Sequence, residues 1–180
     1  MNRAVDEATR WRTIAAGSPL WQGRSEEVAR HILPGESVLD IGAGACGLLH
    51  ALPAECSYTP VDAYPVRADV TRVDLATVGE GRFTLLDLDV AVLAGVLEHV
   101  ADAERAVRLA ATWARRVILT YSWECDEHRP RDVEEAVSRG EASTHWRCLM
   151  AAGAAEVTVG GVRLSRVGEW YDHAVYVGEA

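Results

Sequence analysis

Lysine is missing altogether: all 18 basic residues are arginine. No lysine Schiff base can form, and the lysine of a phosphate-binding P-loop is absent, so chemistry built on either is excluded. The bias itself is of the kind that genome nucleotide composition produces. Cysteine is scarce, and Cys46, Cys56, Cys125 and Cys148 form no CxxC pair and no metal-spaced set; they read as small hydrophobes, and no metal is expected. No apolar run approaches the length of a membrane span. The N-terminal stretch MNRAVDEATRWRTIAAG lacks the apolar core of a signal peptide. Positive charge is in deficit, with a formal net charge of −9, so the basic face that nucleic acid requires is lacking. The expectation is a reduced, cytoplasmic protein that engages neither membrane nor nucleic acid; its oligomeric state is left open.

What is present is ordinary globular material. The 180 residues, 49% hydrophobic and 25% charged, suffice for one domain with a proper core. Residues 4–16 and 25–33 show helical spacing of apolar residues. Ser25 followed by Glu26-Glu27 reads as an N-cap with acids in the first turn, and Pro34-Gly35 as the stop. Strands and helical segments then alternate. Val38-Leu39, Tyr58 to Val61, Val70 to Val73, Val90 to Ala94 and Val117 to Tyr121 read as strands, with helical pieces at Leu48 to Leu52 and Ala103 to Ala114. VAVLA at Val90 is a near-continuous apolar run, the pattern of a strand covered on both faces. A further helix is expected around His145 to Ala152, and two closing strands near Glu156 to Leu164 and Tyr171 to Val177. This alternation indicates a parallel α/β sheet. The short link Ser165 to Trp170 leaves no room for a crossover helix, so the last two strands should form an antiparallel hairpin.

The stretch SVLDIGAGACGLLHAL (Ser37 to Leu52) joins a buried strand to a glycine-rich turn. Gly42-x-Gly44-x-x-Gly47 matches a dinucleotide fingerprint as written, and Asp62 follows by about 20 residues, where a carboxylate can accept from ribose hydroxyls. Asp40 argues otherwise. A carboxylate at the end of the first strand repels a pyrophosphate in a partly dry crevice, whereas it favours the sulfonium and ammonium of S-adenosylmethionine (SAM). No arginine or lysine beside Asp62 offers itself to a 2′-phosphate.

SVLDIGAGACGLLHAL, TPVDAY, RVDL, DVAVLAGVLEHV and RVILTYS, in that order, resemble the successive motifs of class I SAM-dependent methyltransferases, from about Trp11 to the C-terminus. GVLEHV is similar to the small bacterial type-11 and MetW-like subgroup. The resemblance implies a Rossmann-like, doubly wound, mostly parallel seven-stranded sheet with a C-terminal antiparallel hairpin. It divides the single domain into N-terminal helices (1–34), a cofactor-binding half (37–121), a lid or acceptor segment (122–152) and a closing hairpin (153–180). It further implies that Asp40, Gly42, Ala43 and Gly44 line the methionine part of SAM, that Asp62 binds the ribose, and that Ala63 packs near the adenine. Asp74 with Leu75 would meet the adenine amino group, Ala94 and Gly95 the amino group or sulfonium, and His99 would stand close to the site. Cys46 departs from the pattern, since the family more often has a third glycine there.

Trp123 to His145 holds the acceptor side in this reading. It is equally a solvated helix, because RPRDVEEAVSRGE has the opposite-charge spacing of a surface. His128 and His145 are the candidates for a general base, as imidazole titrates in the right range; the catalytic residue is otherwise unassigned. The function this implies is methyl transfer from SAM, giving S-adenosylhomocysteine (SAH), to the oxygen or nitrogen of a small molecule such as a sugar or secondary metabolite. An NAD-dependent oxidoreductase and a non-catalytic binding protein of the same fold are the alternatives.

Overall fold

The computed structural model describes residues 9, 11, 20–83, 86–122, 154–171 and 173–180. The expected helix over 145–152, most of the helix over 4–16, and the base candidates His128 and His145 lie outside these. Helix α1 (Leu20–Ala29) is followed by β1 (Ser37–Ile41), β2 (Ser57–Asp62), β3 (Thr71–Arg72) and β4 (Leu88–Ala94). Helix α2 (Ala103–Trp113) leads directly into β5 (Ala114–Ser122), and β6 (Glu156–Val159), β7 (Val162–Trp170) and β8 (His173–Glu179) close the chain. One sheet holds all eight strands in the order β3-β2-β1-β4-β5-β8-β7-β6. The first five run parallel, and β8, β7 and β6 are joined to them by antiparallel pairing.

The apolar runs explain the layering. Along a strand successive side chains point to opposite faces, and here both faces are packed. Val38, Val90, Val92, Ile118 and Val175 pack on one side with Val28, Ala29 and Ile32 from α1 and its exit. Their neighbours Leu39, Ala91, Leu93, Val117 and Leu119 pack on the other with Ala106, Val107, Ala110 and Trp113 of α2. This is the doubly wound Rossmann-like arrangement.

Four expectations need correction. Ser25 is no N-cap: α1 starts upstream, and the Ser25 hydroxyl donates back to the Trp21 carbonyl at 3.1 Å, as a mid-helix serine does. The helix expected at Leu48 to Leu52 is a 3₁₀ turn over Gly47–His50. Among the described residues the sheet has eight strands rather than seven. The closing hairpin is a three-stranded meander, because Gly160-Gly161 breaks the stretch taken for one strand, and Ser165 to Trp170 is strand rather than link. Two glycines between strands form a hairpin turn, for both can take a positive φ. Among the described residues, no helix is long and apolar enough to cross a membrane.

Gly160 does more than turn. Its φ is +58°, and a Cβ built there would come 2.3 Å from the Glu104 carbonyl oxygen of α2. Gly161, at φ +86°, has nothing near it. Gly161→Ala should cost only the left-handed backbone penalty, about 1–2 kcal/mol. Gly160→Ala should cost roughly 1–3 kcal/mol more, because the hairpin must lift off α2. Urea denaturation of the two variants checks this; equal losses would show that the contact with α2 does not matter.

Candidate functional site

A cavity of about 560 Å³ lies at the carboxyl ends of the parallel strands, where open α/β sheets bind ligands. Its size is that of a small-molecule pocket. Ile41 and Gly42 come from the exit of β1, Asp62, Ala63 and Tyr64 from that of β2, and Val73 to Ala76 from the turn after β3. Gly95, Val96 and His99 follow β4; Val100 to Asp102 and Arg105 enter α2, and Trp11 completes the wall. Gly42 sits at φ +77°, and a Cβ there would lie 2.6 Å from Cγ2 of Val96, so the exits of β1 and β4 approach as closely as they do only with glycine at 42.

Four of the six N–H groups of the glycine turn are engaged within the protein. The N–H groups of Gly42 and Ala43 both donate to the Val61 carbonyl, at 2.8 and 3.1 Å, and Cys46 N–H donates to the Ala43 carbonyl at 2.7 Å. Gly44 N–H donates to Asp62 Oδ2 at 2.9 Å, while Asp62 Oδ1 accepts from Tyr64 N–H at 2.7 Å. One carboxylate thus binds the loops after β1 and β2 together. Cys46, in the place where the resemblance expects glycine, takes the left-handed φ of 63°. It is buried with Ala43 and Val70.

Asp40 lies beneath this turn, only 4% exposed, and the Tyr58 hydroxyl donates to its Oδ2 at 2.6 Å. Burial raises its pKa from an ordinary 3.8 to about 6; the Tyr58 hydrogen bond and the Arg24 charge oppose that rise, and the Asp62 charge adds to it. Burial and the Asp40 charge push the Tyr58 phenol up, so it stays a donor.

Of the site residues read from the sequence, Gly42, Asp62, Ala63, Asp74, Leu75, Gly95 and His99 line the cavity. Asp40, Ala43, Gly44 and Ala94 do not: Ala43 packs with Cys46, and Ala94 packs on the α1 side of the sheet. His99 meets Trp11 edge-on, ring centroids 4.6 Å apart. Beside it, Glu98 is 1% exposed, with its Oε1 3.8 Å from His173 Nε2. The cavity residues missed by sequence reasoning are Trp11, Ile41, Tyr64, Val73, Ala76, Val96, Val100 to Asp102 and Arg105. Tyr64 was within reach, two residues after Asp62; Asp102 carried an N-cap signal, and its Oδ1 accepts Arg105 N–H at 2.8 Å. Among the described residues, no three His, Cys, Asp or Glu side chains are grouped to hold a metal.

No family model matches the sequence, and no curated protein does. Solved structures do. A candidate O-methyltransferase from Nostoc punctiforme superposes with a TM-score of 0.61 at 18% identity, over 94% of this chain and 60% of that one. The N-terminal domain of EvdMO1, solved with SAH and D-fucose, gives 0.53 at 16% identity over 91% and 84%. A Rhodobacter sphaeroides structure named for Zn-dependent alcohol dehydrogenases gives 0.53 at 16% over 76% and 64%. At such identities the likeness shows the fold alone, a Rossmann-like mixed sheet. The chain spans less than two thirds of the length of the Nostoc protein.

The buried carboxylate gives a pH signature. Because the native pKa of Asp40 is the higher one, the native state holds its proton over a range where the unfolded chain has lost it, and stability falls as pH rises from about 4 to about 6. Asp40→Asn removes this term while leaving Tyr58 an acceptor. Urea denaturation of both proteins at pH 4 and pH 8 should show the variant gaining on the native chain by roughly 3 kcal/mol across that span. A gap independent of pH would mean that Asp40 is not raised.

Proposed function

We propose that this chain is a SAM-dependent methyltransferase acting on the oxygen or nitrogen of a small molecule, with the adenosine half of the cofactor in the 560 Å³ cavity. The observation that carries the reading is the glycine turn, most of whose N–H groups are already engaged. A pyrophosphate needs unspent backbone N–H groups at a helix N-terminus. Here the N–H groups of Gly42, Ala43, Gly44 and Cys46 are all engaged, and a four-residue 3₁₀ turn follows instead of an α-helix. Among the described residues the cavity wall carries the carboxylates of Asp62, Asp74 and Asp102 and the guanidinium of Arg105, with Arg24 against Gly95, a balance that suits a cationic ligand better than a doubly charged phosphate group.

Bound there, SAM supplies a methyl group on a sulfonium that is already a good leaving group. The chain's part is to place it and keep water out. Asp62, held by Gly44 and Tyr64, presents an acceptor-only carboxylate to the ribose hydroxyls, and Ala63 packs near the base. Asp74 accepts from the adenine amino group, with Leu75 alongside. Gly42 and Gly95, with Asp40 ionised behind them above pH 6, face the methionine end; Ala43, Gly44 and Ala94 shape the backbone there, and His99 closes that side. An oxygen acceptor must lose its proton, and His128 or His145 is the base in this reading. The EvdMO1 domain was solved in the presence of SAH and D-fucose, and a sugar hydroxyl is therefore the first acceptor to try. The chain is read as a cytoplasmic protein that acts on a free small molecule.

The name of the Rhodobacter relative and the literal GxGxxG favour a nicotinamide oxidoreductase as the second reading. Calorimetric titration separates the two. SAM and SAH should bind with micromolar affinity and NAD should not bind, and Asp62→Asn should weaken SAH about tenfold or more, the loss of a charge-assisted hydrogen bond. Binding of NAD alone would overturn the methyltransferase reading.

A further inference from the structure

Helix α2 opens with a charge in a place that disfavours it. Arg105 stands in the first turn, where the helix dipole opposes a cation. Its guanidinium is spent on another loop: Nη1 donates to the Leu75 carbonyl, and Nη2 donates to the Val78 carbonyl at 2.7 Å. These carbonyls bracket the turn that follows β3, whose Asp74, Leu75 and Ala76 line the cavity.

That turn has good internal bonds, and Leu75 and Val78 pack on the core beside α2, but that apolar packing is non-directional. Asp74 Oδ1 accepts from Ala76 N–H at 2.9 Å, and the Asp74 carbonyl accepts from Thr77 and Val78 at 3.1 and 2.9 Å. These fix its shape but not its place. The preceding strand has only two residues, and the bond from Val73 N–H to the Asp62 carbonyl, at 2.9 Å, is its last tie to the sheet. Helix α2 supplies the directional ties: Arg105 bridges two carbonyls of the turn, and Trp113 Nε1 donates to the Glu80 carbonyl at 2.5 Å just beyond it. A planar fork bridging two carbonyls fixes orientation as well as distance, which a single ammonium cannot do.

We propose that Arg105 is the positioning residue of the base-reading wall. By bridging Leu75 and Val78 it holds the Asp74 carboxylate where it can accept from an exocyclic amine and reject a carbonyl oxygen. This rests on the reading of the cavity as an adenosine site. It assigns base discrimination to a contact between α2 and the turn rather than to Asp74 alone.

The test is calorimetric titration of the full chain, as native protein, Arg105→Gln and Arg105→Lys, with two probes: SAH and S-inosylhomocysteine, which carries a carbonyl where adenine has its amino group. Circular dichroism reports that each variant is folded. The native chain should prefer SAH by about tenfold or more, since an unpaired or repelled polar group is costly to bind. Arg105→Gln should lose most of that preference together with about tenfold in SAH affinity. Arg105→Lys, able to reach one carbonyl, should fall between, and it supplies the comparison if the glutamine variant does not fold. A purely structural Arg105 would leave the ratio of the two affinities unchanged, and that result would overturn the proposal. Native protein that binds SAH without preference would overturn it too, while leaving the adenosine site standing. Native protein that binds neither probe would remove the adenosine site and the proposal with it.

Discussion

The central strands are buried on both faces, and that constraint decides where chemistry can occur. Val38 and Leu39, Val92 and Leu93, Ile118 and Leu119 alternate between two apolar layers, and among the described residues the buried polar side chains on β1, β4 and β5 are Asp40 and Thr120, both near the carboxyl ends of their strands. Polar residues gather toward the strand ends. Asp40, Asp62, Gly95 and Glu98 all stand at those carboxyl ends. The depth of the cavity is the distance by which the loops rise above the packed layers.

Within that frame a single carboxylate carries much of the local order. Asp62 accepts from Gly44 on one side and Tyr64 on the other, so the loops after β1 and β2 cannot move independently. Directly below, Asp40 is held in a nearly dry place by Tyr58, at a cost that its raised pKa expresses. Burying a carboxylate costs stability unless it is fully paired, and nothing in the packing of β1 needs an acid there. A negative charge that costs the fold and lies behind a cavity wall of carboxylates is consistent with a ligand that brings positive charge.

Much of this was legible in the sequence because doubly buried strands leave a continuous apolar signature. VAVLA and VILTY gave β4 and β5, and the amphipathic run after Asp102 gave α2 nearly to the residue. The order Asp62, Asp74, Gly95, His99 likewise pointed to residues that the fold brings to one cavity. What failed had local causes. The apolar Leu48 to Leu52 suggested a helix, but Pro53 and the tight exit from Cys46 leave only a 3₁₀ turn. Ser25 with two acids imitates a cap inside a helix already under way. VTVGGVRL read as one strand although Gly160-Gly161 is itself a hairpin signal, and the charges of SRVGEW disguised a strand in which Gly168 follows a bulge. Arg105 could not have been found, since its partners lie 30 and 27 residues away and only the tertiary fold makes them neighbours.

A crystal structure of the chain grown with SAH tests the adenosine site most directly. The ribose hydroxyls should lie within hydrogen-bond distance of the Asp62 carboxylate, with the base against the turn after β3 and the homocysteine directed toward Gly42 and Gly95. SAH bound away from this cavity, or with its ribose out of reach of Asp62, would contradict it.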